Sequence, residues 1–533
     1  MRRPENGRDV GGVRGGAMRA ARKLKENERD GITSQAAPAT GDKASTGVSG
    51  LDHLLRGGLP AHRIHLVEGH PGSGKTTLGL QFLLEGVRHG ESCMYITLSE
   101  TAEELRANAA AHGWDLSCIH IHELQPAENL RPEEQYTLFH PSEIELGDLS
   151  RNVFEVVEQF KPARAVLDSV SDMRLLARDS LRYRRQVLGL KQFFVGRGCT
   201  LMLLNETGVS DTDAHIQSLA QGVIRLEQSV LDFGIARRRL EIVKLRGVAY
   251  VAGYHDFRIE TGGMRVFPRL ENRRFRRPPP KETLKSGLPH VDSLLGDGVP
   301  MGTCTLILGP SGVGKSTLSA QYLSCAAAKG IRGAAFLFDE QRQIFLERGD
   351  ALGMRLSKYA KSDALKIAKV EPGSMSPGEF SHSVRKAVED DKVRVVLIDS
   401  LTGYLTAIPE AAAAVVRLHE LTSYLASCGV ATFLTVAQQG MLGQNMASPV
   451  DVSYIADTMF MMRFFEAGGH VHKAVSVLKK RTGLHETTIR EIGIRNNALW
   501  VGEPLRNFRG VLTGVPEYRE TSLDDNLRVG KKA

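Results

Sequence analysis

The chain has no apolar run of the roughly 18 residues that a membrane-crossing helix needs, so none is predicted. Its first residues, MRRPENGRDVGGVRGG, lack the apolar stretch of a secretory signal. No C-x-x-C pair is present. The cysteines (Cys93, Cys118, Cys199, Cys304, Cys325, Cys428) are scattered, which argues against a disulfide framework and predicts reduced, mostly buried thiols in a cytoplasmic protein.

What is present is ordinary globular material. The 533 residues are 42% hydrophobic and 24% charged, enough for two large α/β domains. The net charge is +8, from 69 Lys and Arg against 61 Asp and Glu. Much of that excess lies in two places. Residues 1–44 are Gly-rich and basic with no hydrophobic period, which predicts a disordered tail. ENRRFRRPPPK (271–281) is a basic, proline-ended strap, which predicts a linker at about 269–283. Residues 516–533 carry no helical stripe and are expected to fray.

The chain repeats itself. TGVSGLDHLLRGGLPAHRIHLVEGHPGSGKTT begins at Thr46, and SGLPHVDSLLGDGVPMGTCTLILGPSGVGKST begins at Ser286. They align without a gap at an offset of 240 residues, too long for a solenoid period and right for a duplicated domain. The expected domains are therefore 45–268 and 284–515. Within each, apolar strand-like runs alternate with helix-length segments: RIHLVEG, SCMYITL, ARAVLD and TLMLLNE in the first copy, TCTLILG, GAAFLFD, VRVVLID and ATFLTVA in the second. A helix is expected between ARAVLD and TLMLLNE. The pattern predicts an α/β fold, with a mostly parallel sheet covered by helices on both faces and ligands beyond the carboxyl ends of the strands.

Both repeats contain G-x-x-x-x-G-K-[ST] after a strand and before a helix. The glycines let successive N–H groups turn inward on phosphate oxygens, and the helix N-terminus adds positive potential. Gly69, Gly72, Ser73, Gly74, Lys75, Thr76 and Thr77 form the first candidate nucleotide cradle. Gly309, Ser311, Gly312, Val313, Gly314, Lys315, Ser316 and Thr317 form the second. The lysines neutralise β and γ oxygens of ATP. Thr76 and Ser316 are candidate Mg²⁺ ligands, together with Asp168 and Asp399, which end apolar strands as LDS and IDS.

Hydrolysis also needs a group that orients or deprotonates water. Glu100 and Glu340 follow the second strand of each copy. The second copy adds Asp339, where the first has Ser99. Glu206 and Gln438, at the ends of the fourth strands, are candidate γ-phosphate sensors. Cys118, His120 and His122 alternate in SCIHIHE and would share a strand face, an arrangement open to a metal or to a partly exposed polar face.

With these features the sequence resembles the KaiC family, circadian-clock ATPases and autokinases of the RecA superfamily. The likeness spans about 46–515. It rests on the tandem P-loops, the acid after strand two, the LDS and IDS strands, RRRLEIVKLRG (237–247) and VLKKRTG (477–483). The resemblance implies two tandem RecA-like P-loop NTPase domains in a homohexameric ring, with ATP between subunits. It implies that Lys244 and Arg246, and Lys479 and Arg481, act in trans on the neighbour's γ-phosphate. It also implies an autophosphorylation segment at PVDVSYIADT. Ser453 there matches the family's serine, and Tyr454 replaces its threonine. Signalling proteins would be partners.

Two other functions fit a tandem P-loop chain. A RecA-like DNA motor would put Lys and Arg in loops near the ring axis. NETGVSDTDAHIQS (205–218) and QQGMLGQNMASPVD (438–451) contain neither, so nucleic acid is not expected. The arginines of SDMRLLARDSLRYRRQ (171–186) are read mainly as one solvated helix face. An ATP-assembled scaffold with little turnover is the other alternative, motivated by Ser99.

Overall fold

The computed structural model describes residues 42–124, 141–177, 179–207, 214–230, 236–271, 282–406, 408, 411–438, 452–513 and 516–518. Nearly all of the basic tail, most of the strap and most of the C-terminal tail lie outside the described residues, as do 208–213 and 439–451.

The first repeat forms a nine-stranded sheet. Its strands are β1 (Ile64–Gly69), β2 (Cys93–Thr97), β3 (Ile119–Glu123), β4 (Arg164–Asp168), β5 (Thr200–Glu206), β6 (Gly222–Ser229), β7 (Arg237–Leu245), β8 (Tyr254–Glu260) and β9 (Gly263–Phe267). The order is β9-β8-β7-β6-β1-β5-β4-β2-β3. Strands β6 through β3 are parallel, and β6 to β9 run as an antiparallel meander.

The second repeat rebuilds this sheet from β10 (Cys304–Gly309), β11 (Gly333–Leu337), β12 (Leu365–Lys369), β13 (Val395–Asp399), β14 (Ala431–Ala437), β15 (Thr458–Ala467), β16 (His470–Lys480), β17 (Arg490–Arg495) and β18 (Ala498–Pro504). Its order, β18-β17-β16-β15-β10-β14-β13-β11-β12, has the same topology.

The central strands are buried on both faces because they are continuous apolar runs rather than alternating ones. Every residue of β1, β2, β4, β10, β11 and β13 is buried. Helices close both sides. On one face of the first sheet, α1 (Lys75–Arg88) buries Leu78, Leu80, Phe82 and Leu83 against Val67, Tyr95 and Val166. Val153, Val157, Val187 and Phe194, from α3 (Pro141–Phe160) and α5 (Ser180–Gly196), cover the other face. The helix α2 (Ala102–Ala111) starts with a reciprocal capping box between Thr101 and Glu104.

Two expectations need correction. The single helix between β4 and β5 is two, α4 (Val170–Ala177) and α5. Asp179 interrupts them, because its carboxylate accepts from the N–H groups of Leu181 and Arg182 and so starts a new helix. The cysteines are not mostly buried. Cys93, Cys199 and Cys304 are buried and Cys325 is half-buried, but Cys118 and Cys428 lie next to turns and are exposed. All six are free thiols.

The domains touch through β8. Asp256 there is buried and accepts from the Gly378 N–H at 2.7 Å, in the first turn of α8 (Pro377–Glu389). It also pairs with Arg417 at 3.4 Å, and Arg258 pairs with Glu379 at 2.8 Å. Among the described residues no helix is long and apolar enough to cross a membrane.

Candidate nucleotide sites

Strand register brings the sequence-predicted residues together. In the first sheet Gly69 lies opposite Glu206 and Leu226, and Thr97 lies opposite Asp168. In the second, Gly309 lies opposite Ala437 and Leu337 opposite Asp399. The strand ends therefore form one lip in each domain, with the glycine loop at its centre.

Each loop has the backbone of a candidate phosphate cradle. Gly72 and Gly74 have φ of 76° and 99°, and Gly312 and Gly314 have 78° and 114°, values that favour glycine. Gly74 and Gly314 are also the N-caps of α1 and α6 (Lys315–Ala328), and no side chain caps either helix. The first-turn N–H groups are thus left for an anion. A Cβ on Gly69 would come 2.5 Å from the Leu226 carbonyl oxygen, so only glycine fits there.

The lysines fold back over the loops. Lys75 donates to the carbonyls of Gly69 and His70 at 3.0 and 3.1 Å. Lys315 donates to those of Gly309 and Pro310 at 2.9 and 2.8 Å. Burial lowers the pKa of both. Glu206 and Asp168 oppose this for Lys75, as Asp399 and Asp339 do for Lys315. Glu206 is 3.9 Å from Lys75. A lysine folded back onto the carbonyls of its own glycine loop fits a triphosphate, which would replace them with charged oxygens.

Beside the first loop stands a hydroxyl–carboxylate arrangement that could hold Mg²⁺. Thr76 Oγ1 donates to Asp168 Oδ2 at 3.1 Å, and the Tyr95 hydroxyl donates to the same oxygen at 2.6 Å. In the second site Thr435 donates to Asp399. Both aspartates are buried, and a cis peptide joins each to the following serine. Burial raises the pKa of Asp168, against the hydrogen bonds from Tyr95 and Thr76.

The candidate catalytic acids differ between the sites. Glu100 is half-buried, and its Oε2 has no hydrogen-bond partner. Burial, then the charges of Asp168 and Glu104, push its pKa up. Glu340 is bound to Arg348 at 2.7 Å, and Arg348 also donates to Thr317 at 3.4 Å. Burial raises the pKa of Glu340, Arg348 lowers it and Asp399 raises it. Asp339 accepts from the Ser400 hydroxyl. The buried Ser73 Oγ and Gln438 Oε1 also lack partners, so both are free to bond a polar ligand.

The basic pairs are placed alike in the two domains. Lys244 and Arg246 donate to the carbonyls of Gln217 and Ser218. Lys479 and Arg481 donate to those of Ser453 and Tyr454, at 2.8 and 2.6 Å. Ser453 thus sits where the first domain has Gln217. None of these four contacts reaches the chain's own phosphate loop.

The Cys118–His120–His122 alternation does not form a cluster. Cys118 precedes β3, His120 stacks on Phe160 with ring centroids 4.8 Å apart, and His122 bonds Asn152 at 3.0 Å. Among the described residues no three His, Cys, Asp or Glu side chains gather to hold a metal.

Sequence reasoning missed Tyr95, Thr435 and Arg348. The first two are polar residues inside buried apolar strands, a signal that could have flagged them. Arg348 needed the fold of α7 (Arg342–Ala351) to be seen.

The model of the KaiC ATPase family matches residues 44–271 and 284–506. A circadian clock protein KaiC3 from Synechocystis is 26% identical over 511 residues, covering 94% of this chain and 98% of the relative. The circadian clock oscillator protein KaiC of Synechococcus elongatus is 26% identical over 485 residues, covering 89% and 92%. That of Parasynechococcus marenigrum is 26% identical over 490, covering 91% and 95%.

Proposed function

The chain belongs to the KaiC family of ATPases, and on that premise we propose that it binds ATP with Mg²⁺ at both phosphate loops and hydrolyses it slowly at the subunit interfaces of a homohexameric ring. The observation that carries this reading is the duplicated cradle: a back-folded lysine, left-handed glycines before an uncapped helix, and a buried aspartate beside the loop.

Lys75 and Lys315 neutralise the β and γ oxygens, while loop N–H groups hold the chain of phosphates. Thr76 with Asp168, and Ser316 with Asp399, would hold the Mg²⁺, which spreads charge away from the γ-phosphoryl group. Glu100 and Glu340 orient the attacking water and accept its proton as its oxygen bonds to phosphorus. The bond to the β-γ bridging oxygen breaks, and ADP leaves. Lys244 with Arg246, and Lys479 with Arg481, stabilise the transferred group on the neighbouring subunit. In the second domain the Ser453 hydroxyl is the candidate alternative nucleophile, which would make the chain an autokinase. The biological role is then regulatory, read out by a signalling protein.

One experiment tests the whole reading. The chain is incubated with γ-labelled ATP, sized, assayed for released phosphate and mapped for modified residues. ATP-dependent rings, slow phosphate release and label on Ser453 are expected. Monomers in saturating ATP would exclude the interface sites. Label absent from Ser453 would leave an ATPase and exclude the kinase.

A further inference from the structure

The two sites differ by one acid. After the second core strand the second domain carries Asp339 and Glu340, and the first carries Ser99 and Glu100. A carboxylate nevertheless reaches the corresponding place in the first domain, from another element. Asp172 lies in the first turn of α4, just after Asp168. Its Oδ2 accepts from Ser169 Oγ at 2.8 Å and from Ser99 Oγ at 3.2 Å. In the second domain Ser400, the counterpart of Ser169, donates to Asp339 Oδ2. In both domains the serine after the metal-side aspartate is therefore bound to a carboxylate. It belongs to Asp172 in one and Asp339 in the other.

The second domain has no room for an acid at the α4-type position. The counterpart of Asp172 is Gly403. A Cβ there would come 2.6 Å from Phe338 Cβ and 3.1 Å from Asp339 Oδ1. A side chain at 403 would collide first with Phe338 and would also crowd the carboxylate at 339. The first domain has the complementary solution, a short residue at 99 and a long one at 172. Asp172 is also wired to the phosphate loop. Ser171 Oγ lies 3.2 Å from Ser169 Oγ and accepts from the Glu206 N–H at 2.9 Å, and Glu206 faces Lys75.

We propose that Asp172 is the second acid of the first nucleotide site, supplying from α4 what Asp339 supplies from the end of β11. This inference rests on hydrolysis at the first site. Asp172 acts as a positioning residue: through Ser169 and Ser99 it fixes the two strand ends that carry Asp168 and Glu100. The lack of an acid at Ser99 is then a relocation, not a loss, and it gives no support to a first domain that only assembles.

The test uses full-length chain carrying E340Q to suppress the second site, with phosphate release measured against ATP concentration. D172G is expected to lower kcat about 10-fold or more and to leave KM within about 2-fold, because the lysine cradle is untouched. D172N keeps the size of the side chain but not its charge, and is expected to fall similarly. Moving the carboxylate to its second-domain position, in S99D/D172G, is expected to recover at least half of the lost rate. If D172G folds poorly, D172N decides. Parent-like kcat in D172N, or no recovery in a folded S99D/D172G, would overturn the inference alone. A parent that releases no phosphate would overturn first-site hydrolysis itself, and the inference with it.

Discussion

Arg348 grips Glu340 at 2.7 Å, and the residue at the equivalent place in the first domain is Asn108, which leaves Glu100 without such a partner. The two candidate bases therefore work in different fields. Burial and Asp399 raise the pKa of Glu340, and the guanidinium holds it down. In R348N the pKa should rise further, so protonation sets in at higher pH. The acid limb of second-site hydrolysis, measured in an E100Q background, is expected to move upward in pH. An unmoved limb would mean that Glu340 is not the titrating base.

The basic strands make a prediction about mixed rings. K75A subunits cannot use their own first loop but still present Lys244 and Arg246. K244A/R246A subunits have the opposite defect. If the pair acts across an interface, mixing the two inactive proteins should restore first-site turnover to a sizeable fraction of normal. Mixtures as inactive as their components would place the pair in cis.

An ion pair with a buried carboxylate distinguishes the two central strands. Glu68 is fully buried, pairs with Arg225 at 2.8 Å and accepts from Gln217 at 2.9 Å. The second domain has Leu308 and Met461 at the same register. R225M alone strands a buried carboxylate and should cost about 3 kcal/mol. E68L/R225M copies the second domain and should restore most of it. Denaturant unfolding of the three proteins checks this, and a double variant no better than R225M would contradict it.

Two buried histidines set an acid limit on stability. Burial lowers the pKa of both His65 and His255 to about 4, where their ordinary value is 6.5. Both stay neutral in the folded chain. Their contribution is complete above pH 6.5 and is lost as pH falls toward 4, because the unfolded chain takes up protons first. Each is worth about 3 kcal/mol at most. Calorimetry from pH 7 to 4 should show a falling Tm, with a shallower slope in H65Q.

How far the sequence could be read depended on whether a feature lies in one stretch or across several. The cradles are contiguous, so Lys75 and Lys315 were identifiable from spacing alone. Asp168 and Asp399 were identifiable because a charge ended an apolar run at repeating positions. The Tyr95–Asp168 and Ser99–Asp172 contacts join segments about 70 residues apart, and only strand register shows them. The antiparallel half of each sheet was also obscure, since β7 and β16 are only partly buried and carry several Lys and Arg, so neither reads as a continuous apolar run. The split between α4 and α5 turned on a single capping aspartate inside an otherwise helical pattern. The Cys118 alternation reported a partly exposed polar strand face and, among the described residues, no metal cluster, because period two gives a shared face and not convergence on a point.

The contact between Asp256 and Gly378 also bears on how the chain can be divided. A carboxylate from one half completes the first turn of a helix in the other, next to Ser376, which serves the Glu379 N–H. Cleavage in the strap would remove more than a tether. Each half, made alone, would keep a polar group shaped for its absent neighbour, an anion on one and an amide on the other, and both would have to turn to water.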